Sequence, residues 1–123
     1  MMKVEVLEKS AASWNGTVYA RYPGECPEIT VIKISIPPDT VLPWHTHPLP
    51  SSTYVISGTM TLEDRRSGEK RVIKAGDVVL DSMNEAHRGF TGEEACVVVN
   101  TYSGAPGTPL SIPEPGEDPE FTE

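Results

Sequence analysis

The stretch His45-Thr46-His47-Pro48-Leu49-Pro50-Ser51-Ser52-Thr53-Tyr54-Val55-Ile56-Ser57-Gly58 carries two of the three histidines in this 123-residue chain. Successive side chains of an extended strand point to opposite faces, so His45 and His47 are predicted to share one face. The third histidine, His87, follows several strand-like segments and could return beside this pair on an antiparallel neighbour. The spacing therefore predicts a site of three imidazoles. Three neutral nitrogens suit zinc, iron, copper or nickel, whereas calcium and magnesium prefer oxygen.

A His-x-His pair is also typical of two solvated side chains on an exposed strand, so the residues around it matter. Pro43, Trp44 and Pro48 make the approach to the histidines stiff and partly apolar. An imidazole among apolar neighbours needs partners for its nitrogens, which favours the metal site over the solvated pair.

The rest of the chain repeats short β-branched or alternating runs followed by turn residues, with no long helical period. Strands are predicted at residues 4–8, 17–20, 29–36, 41–47, 53–57, 59–63, 71–74, 78–81, 87–90 and 95–102. Gly58 is predicted to be a turn, and Ile32, Ile34 and Ile36 to form one apolar face. Many short strands in one small domain predict an all-β sandwich or a closed barrel, which also removes exposed edges.

Charge and length limit the partners and the compartment. Asp and Glu number 18 against 10 Lys and Arg, which gives a net charge of −8. Nucleic acid and anionic membranes are not expected as partners, because a phosphate backbone needs a basic surface. No apolar run has the length of a membrane span or a signal peptide, so a cytoplasmic protein is predicted. Cys26 and Cys96 are predicted to be ordinary thiols, with a disulfide between them as the alternative.

The last residues differ in composition from the rest of the chain. Residues 111–123 hold proline, glycine and acidic side chains without a basic residue. This composition favours a solvated, poorly ordered tail that takes no part in an interface. Residues 1–110, including the N-terminal strands, are predicted to form the single domain.

The two histidine-bearing segments resemble the motifs of the cupins. The first motif, Gly-x5-His-x-His-x3 or 4-Glu-x6-Gly, is similar to residues 45–58, and the second, Gly-x5-Pro-x-Gly-x2-His-x3-Asn, is similar to residues 76–91. All three histidines and the framing Gly58 and Gly76 match in order and spacing. The resemblance covers residues 30–105 and implies a single-domain cupin-type β-barrel of the small cupin-2 kind, a double-stranded β-helix or jelly roll. It also implies that the three histidines are metal ligands.

One departure from the motifs changes the expected site. The glutamate that cupins usually supply falls at Ser51 or Ser52, and neither serine is a good substitute. Three histidines bring no negative charge, so the ion would be a stronger Lewis acid, completed by water or substrate. Glu85, two residues before His87, is an alternative source of a carboxylate. Asn84 stands where the second motif usually has glycine, a change expected to affect turn chemistry only.

The resemblance implies a small metal-dependent enzyme. The best hypothesis is a non-haem Fe(II) oxygenase or dioxygenase acting on a small organic molecule. Zinc, nickel, manganese and copper are alternative ions, and an isomerase or hydrolase that uses zinc, nickel or manganese is an alternative activity. A small-molecule-binding module without catalysis is the second hypothesis, because a fold does not fix a function.

The sequence offers few residues for proton transfer and several for a pocket. Glu85 and Tyr54 are the candidates for proton transfer. The side chains predicted to line the pocket are Trp44, Tyr54, Met60, Met83 and Phe90. A homodimer is expected, in which residues 4–7 could extend the sheet of a partner subunit.

Overall fold

The computed structural model describes residues 2–122, and every regular element in them is a β-strand, which confirms the all-β prediction. The strands are β1 (Glu28–Ile36), β2 (His45–Thr46), β3 (Ser51–Asp64), β4 (Lys70–Lys74), β5 (Val78–Leu80), β6 (His87–Phe90), β7 (Cys96–Gly104) and β8 (Ile112–Pro113). No helix long and apolar enough to cross a membrane occurs in the part of the chain that the structure describes.

Strand β3 organises the fold because it pairs with neighbours on both of its edges along its length. Its first half pairs antiparallel with β5 and β7, and β7 pairs with β1. Its second half pairs with β4 and β6, and β6 continues through β2 to β8. The path β1-β7-β3-β6-β2-β8 is a curled antiparallel sheet that brings the two histidine-bearing strands, β2 and β6, side by side.

Alternating side chains of these strands fill the interior in two clusters. The larger cluster contains Val55, Met60 and Val98, and Ile36 and Ile34 pack into it from β1. The buried members of the second cluster are Leu49, Tyr102 and Leu110, against which Ile32 and Phe121 pack. The prediction that Ile32, Ile34 and Ile36 share one apolar face is therefore confirmed, and burial of this face is the main stabilising contribution of β1.

Gly58 lies inside β3, so the prediction of a turn between two strands at this position is wrong. The register of β3 against β7 shifts between Val55 and Ser57, which marks a β-bulge, and Gly58 has a φ of 79°. A Cβ atom on Gly58 would overlap the carbonyl oxygen of Ala95 and lie 2.8 Å from its carbon. A bulge with a glycine bends a strand without ending it, which is why one 14-residue strand replaces two short ones.

Three other strand predictions are wrong or too long. Residues 4–8 form no strand, and residues 17–20 contribute only an isolated bridge between Ala12 and Val18. Of residues 41–47 only His45–Thr46 is a strand, preceded by an isolated bridge from Val41 to Phe90. The valines at the N-terminus are largely exposed, at 77% for Val4, and a β-branched run that buries no face gains little from pairing. The homodimer built on residues 4–7 stays a prediction.

The C-terminal residues are not the poorly ordered tail that their composition predicted. Strand β8 pairs with β2, and the amide of Glu114 donates a hydrogen bond of 3.0 Å to the carbonyl of Trp44. Phe121 packs against the cluster that contains Leu110. One aromatic side chain and a short strand therefore hold a segment whose average composition is that of a solvated chain.

The two cysteines are free thiols, which confirms the default prediction and excludes the alternative of a disulfide between them. Cys96 is fully buried in the larger cluster, whereas Cys26 is exposed. Burial raises the pKa of the Cys96 thiol, so this side chain packs as a small apolar group.

Candidate metal centre

The three histidines converge inside the sheet, as their spacing predicted. His45 and His87 are direct cross-strand partners on β2 and β6, and His47 lies two residues further along the same face. Their ring centroids are 4.4–4.8 Å apart, and one potential ligand nitrogen from each lies within 4.8 Å of the other two. The residues are 2%, 2% and 7% exposed for His45, His47 and His87. The solvated-pair alternative is therefore excluded.

Backbone carbonyls fix the orientation of all three rings. The Nδ1 atoms of His45, His47 and His87 donate to the carbonyl oxygens of Pro43, Leu110 and Glu85, at 2.8, 2.8 and 2.9 Å. A carbonyl can only accept, so each Nδ1 carries the proton and each Nε2 keeps its lone pair. Hydrogen bonding of the second ring nitrogen is the usual way in which proteins orient a metal-ligating histidine. These residues fit a divalent ion.

Burial keeps the imidazoles in the neutral form that binds metals. It lowers the pKa of His45, lowers that of His47 well below the usual value, and lowers that of His87 to about 4. For His47 and His87 the neighbouring imidazoles add to the effect of burial, because one protonated ring disfavours a second. Near neutral pH the three Nε2 atoms are therefore available as ligands.

The lowered pKa of His87 has a consequence for stability that can be measured. The unfolded chain binds a proton at this histidine below about pH 6.5, whereas the folded chain does so only near pH 4. The contribution of neutral His87 is thus complete above pH 6.5 and is lost as the pH falls through this interval. Buried Asp81 and Glu120 have raised pKa values and act in the opposite direction. Because Asp81 interacts with His87, the difference between two variants measures the histidine together with its effect on Asp81.

We expect the stability advantage of the wild type over His87→Gln to shrink by up to about 3 kcal/mol between pH 7 and pH 4, since one pKa unit is worth about 1.4 kcal/mol. Urea denaturation of both proteins in the presence of a chelator, at pH 7, 5.5 and 4, measures this difference. Lys3→Gln, at an exposed position, serves as the control substitution. A difference that stays constant with pH would contradict a neutral, buried His87.

A carboxylate that the sequence analysis did not select lies against the histidines. The Oε2 atom of Glu120 is 3.1 Å from Nε2 of His45, and their side chains are 7% and 3% exposed. Burial raises the pKa of Glu120 to about 7, although the nearby Ser111 hydroxyl acts in the opposite direction. Its Oε1 atom is buried and has no hydrogen-bond partner among the residues described. The expectation that only water or substrate completes the site is therefore incomplete.

Glu85, the carboxylate proposed from the sequence, is directed elsewhere. Its Oε2 atom accepts a hydrogen bond of 2.8 Å from the hydroxyl of Thr17. Its contribution to the site is the backbone carbonyl that orients His87. The segment before β6 thus positions a ligand without supplying a carboxylate.

A second buried carboxylate, Asp81, lies next to the histidines. The hydroxyls of Ser51 and Thr53 donate hydrogen bonds of 2.9 Å to it. Ser51 is one of the two serines at the position of the usual cupin glutamate, and its hydroxyl is engaged by Asp81. Burial raises the pKa of Asp81, and the nearby His87 acts in the opposite direction. Asp81, Glu120 and the three histidines line one cavity of about 30 Å³.

Of the five side chains predicted to line the pocket, Met60 lines this cavity, whereas Trp44, Tyr54, Met83 and Phe90 do not. Side-chain alternation explains three of the differences. His45 and Thr53 face inward, so their neighbours Trp44 and Tyr54 face outward. Phe90 is three residues after the inward-facing His87 on the same strand, so it also faces outward. The guanidinium group of Arg88 instead lies over the ring of Trp44, 4.1 Å from the ring centroid. Tyr54 is 41% exposed, and Met83 is buried away from the cavity.

The two carboxylates that the sequence analysis missed differ in how visible they are. Asp81 lies two residues after buried Val79 in the predicted strand 78–81. Side-chain alternation along this strand could therefore have placed Asp81 on the buried face. Glu120 is one of several acidic residues in a segment of low apolar content, and no periodic pattern distinguishes it. The neighbouring Phe121 was the available signal that this segment docks.

Comparison with known proteins bears on the fold. The family model described as a cupin domain matches residues 32–102, which include all three histidines. A search of curated proteins finds no match.

Solved structures share the fold at low sequence identity. A cupin-like protein from Thermotoga maritima is 23% identical with a TM-score of 0.62, and 77% of this chain and 68% of that chain are covered. The polyketide cyclase RemF from Streptomyces resistomycificus is 17% identical with a TM-score of 0.61, covering 92% and 85%. The DMSP lyase DddQ from Ruegeria pomeroyi is 17% identical with a TM-score of 0.60, covering 66% of this chain and only 41% of the lyase. These likenesses confirm the double-stranded β-helix and carry no activity with them.

Proposed function

We propose that this chain, which belongs to the cupin domain family, is a divalent-metal-dependent enzyme acting on a small organic molecule. The observation that carries this proposal is the set of three Nδ1–carbonyl hydrogen bonds, which leave three buried Nε2 lone pairs facing one another. A divalent ion held by His45, His47 and His87 would supply Lewis acidity toward an oxygen of the substrate.

Asp81 is the residue that we assign to proton transfer. It lines the same cavity as the histidines, and burial raises its pKa above the usual value of an aspartate, which favours uptake of a proton. The hydroxyls of Ser51 and Thr53 hold its carboxylate in place. Neither residue suggested by the sequence is as well placed, because Glu85 is bonded to Thr17 and Tyr54 faces outward.

A buried acid–base group beside a metal site favours a reaction based on proton transfer, such as an elimination, isomerisation or cyclisation. The names of two structural neighbours, a polyketide cyclase and a DMSP lyase, support the idea that this fold can host such reactions. A non-haem Fe(II) dioxygenase is the second candidate, because imidazole ligands suit iron. Zinc, nickel, manganese or iron could serve the first reaction, whereas iron is required by the second.

The two candidates and the binding module are separated by one set of assays. The metal-free protein is reconstituted separately with Fe(II), Zn(II), Ni(II) and Mn(II) and incubated with small thiols, diketones and hydroxy acids, with and without oxygen. Metal-dependent turnover without oxygen would support the proton-transfer enzyme. Oxygen consumption that depends on iron and substrate would instead support the dioxygenase. Stoichiometric metal without turnover of any compound would favour the binding module.

We expect Asp81→Asn to lower turnover by about 10²- to 10⁴-fold with little change in metal content. The amide keeps the shape of the carboxylate and can still accept hydrogen bonds from Ser51 and Thr53, but it cannot take up a proton. Turnover number and metal content are measured on the same samples.

The matched control for this change is Ser51→Ala, which removes one hydrogen bond from Asp81 and leaves its carboxylate. It is expected to lower turnover much less than Asp81→Asn does. Equal turnover in Asp81→Asn and the wild type would exclude Asp81 from proton transfer.

A further inference from the structure

We propose that Glu120 is the carboxylate ligand of the metal centre, and that it fastens the C-terminal segment (residues 111–122) over the site when the ion is bound. This inference rests on the proposed metal-dependent function. In this chain the carboxylate ligand would lie on a segment that follows the last long strand. In the cupin motif the glutamate ligand instead follows the His-x-His pair.

The position of the carboxylate fits a shared ion. The Oε2 atom of Glu120 and Nε2 of His45 are 3.1 Å apart. Two neighbouring ligand atoms on one ion, with bonds of about 2.0–2.2 Å, are separated by about 2.8–3.6 Å at octahedral or tetrahedral angles. The Nε2 atom of His45 is also the nitrogen that its Nδ1–carbonyl hydrogen bond leaves free for a metal.

One of the two carboxylate oxygens of Glu120, Oε1, is buried without a hydrogen-bond partner among residues 2–122, while the other faces His45. The basic residue that lines the cavity, Arg88, donates a hydrogen bond of 2.9 Å to Glu63 and lies over the Trp44 ring. A buried charge is strongly destabilising unless it is paired or coordinates a metal. A cation between Glu120 and His45 would satisfy this requirement.

The chain holds Glu120 in place from both sides. On the N-terminal side, β8 pairs with β2 so that Thr46 and Ile112 are cross-strand partners. On the C-terminal side, Phe121 packs against the cluster of Leu49, Tyr102 and Leu110. The carbonyl of Leu110, the residue that precedes the segment, accepts a hydrogen bond from His47, which connects the segment to a second histidine. The segment is thus attached to the elements that carry the site.

The size of the cavity shows what this attachment does. A volume of about 30 Å³ accommodates an ion or a water molecule, whereas small-molecule pockets are about 300–1,000 Å³. The cavity is too small for an organic substrate as it stands, and Glu120 is the residue of the C-terminal segment that forms part of its wall. Movement of this segment would enlarge the cavity, and substrate would then replace Glu120 on the ion.

Cobalt(II) binding tests the assignment without a substrate. Metal-free wild type, Glu120→Gln and Glu117→Gln are titrated with Co(II) under anaerobic conditions, and affinity and visible spectrum are recorded. We expect Glu120→Gln to bind about 10- to 100-fold more weakly and with an altered ligand-field spectrum, because an amide is a weaker ligand than a carboxylate. Glu117→Gln removes the same charge from the same segment and is expected to match the wild type.

Hydrogen exchange of the wild type provides a second readout that does not depend on a variant. Binding of Zn(II) should slow amide exchange in residues 111–122, and this protection should be absent in Glu120→Gln. Unchanged cobalt affinity and spectrum in Glu120→Gln, or zinc binding to the wild type without protection of the segment, would overturn the role of Glu120 and leave the proposed function standing. Failure of the wild type to bind any of these ions would overturn both.

Discussion

Replacing His47 by alanine is expected to weaken divalent-metal binding by at least about 100-fold. His47 is 2% exposed, and its Nδ1 is bonded to the carbonyl of Leu110, so its Nε2 has no role in the described structure other than to face the other two imidazoles. Two histidines without the third leave an ion with too few protein ligands. Affinity is measured by competition with a chromophoric chelator.

The fold is expected to survive this change. The alanine removes the hydrogen bond between His47 and the Leu110 carbonyl, which costs about 1 kcal/mol, and that loss is a fraction of the stability of a typical domain. Thr46→Ala, at the position between the two ligands on the opposite face, is the matched control and should bind metal as the wild type does. A His47→Ala protein that retains its ion would remove this residue from the site. A protein that is unfolded with and without metal would show that the histidine is structural.

Replacing Gly58 by alanine is expected to destabilise the protein by about 3 kcal/mol or more. A Cβ atom there would overlap the Ala95 carbonyl oxygen and lie 2.9 Å from the Cα of Cys96. Those atoms belong to the backbone that enters β7, so relief requires β3 and β7 to separate at the bulge. The φ of 79° adds the penalty of a left-handed conformation for a residue with a side chain.

Gly68→Ala separates the steric effect from the conformational one. Gly68 has a similar φ of 74°, but a Cβ atom added there would meet nothing within 4 Å. This change is expected to cost only about 1 kcal/mol, the penalty of the left-handed conformation alone. Urea denaturation midpoints of the two variants and the wild type give the comparison. Equal losses for Gly58→Ala and Gly68→Ala would contradict close packing of β3 against β7 as the reason for the glycine.

The convergence of the histidines was predictable because it depends on local rules. Alternation along a strand places His45 and His47 on one face, and the motif spacing places His87 on a neighbouring strand. Local geometry also explains why Asn84 can stand where the cupin motif has glycine. Asn84 has a φ of 62°, and asparagine tolerates this left-handed conformation. Asp39, six positions before His45, has a φ of 53° for the same reason.

The parts that could not be predicted depend on contacts between distant segments. Glu120 lies beside His45 because β8 pairs with β2 and Phe121 packs on the cluster around Leu49. Composition averages over the segment and does not detect one aromatic anchor or a two-residue strand. The bulge at Gly58 was interpreted as a turn because a glycine between two β-branched runs predicts both structures equally well. The strands that pack in the interior, such as β1 and β6, were predicted to within two residues at each end, whereas the strands predicted at residues 4–8 and 17–20 do not form.

X-ray absorption at the zinc edge, on wild type loaded with one equivalent of Zn(II), tests the central claim most directly. We predict one tightly held ion per chain, with three imidazole ligands in its scattering pattern and the remaining ligands oxygen. Substoichiometric binding, or an ion surrounded by oxygen or sulfur without three imidazoles, would contradict a metal centre at His45, His47 and His87.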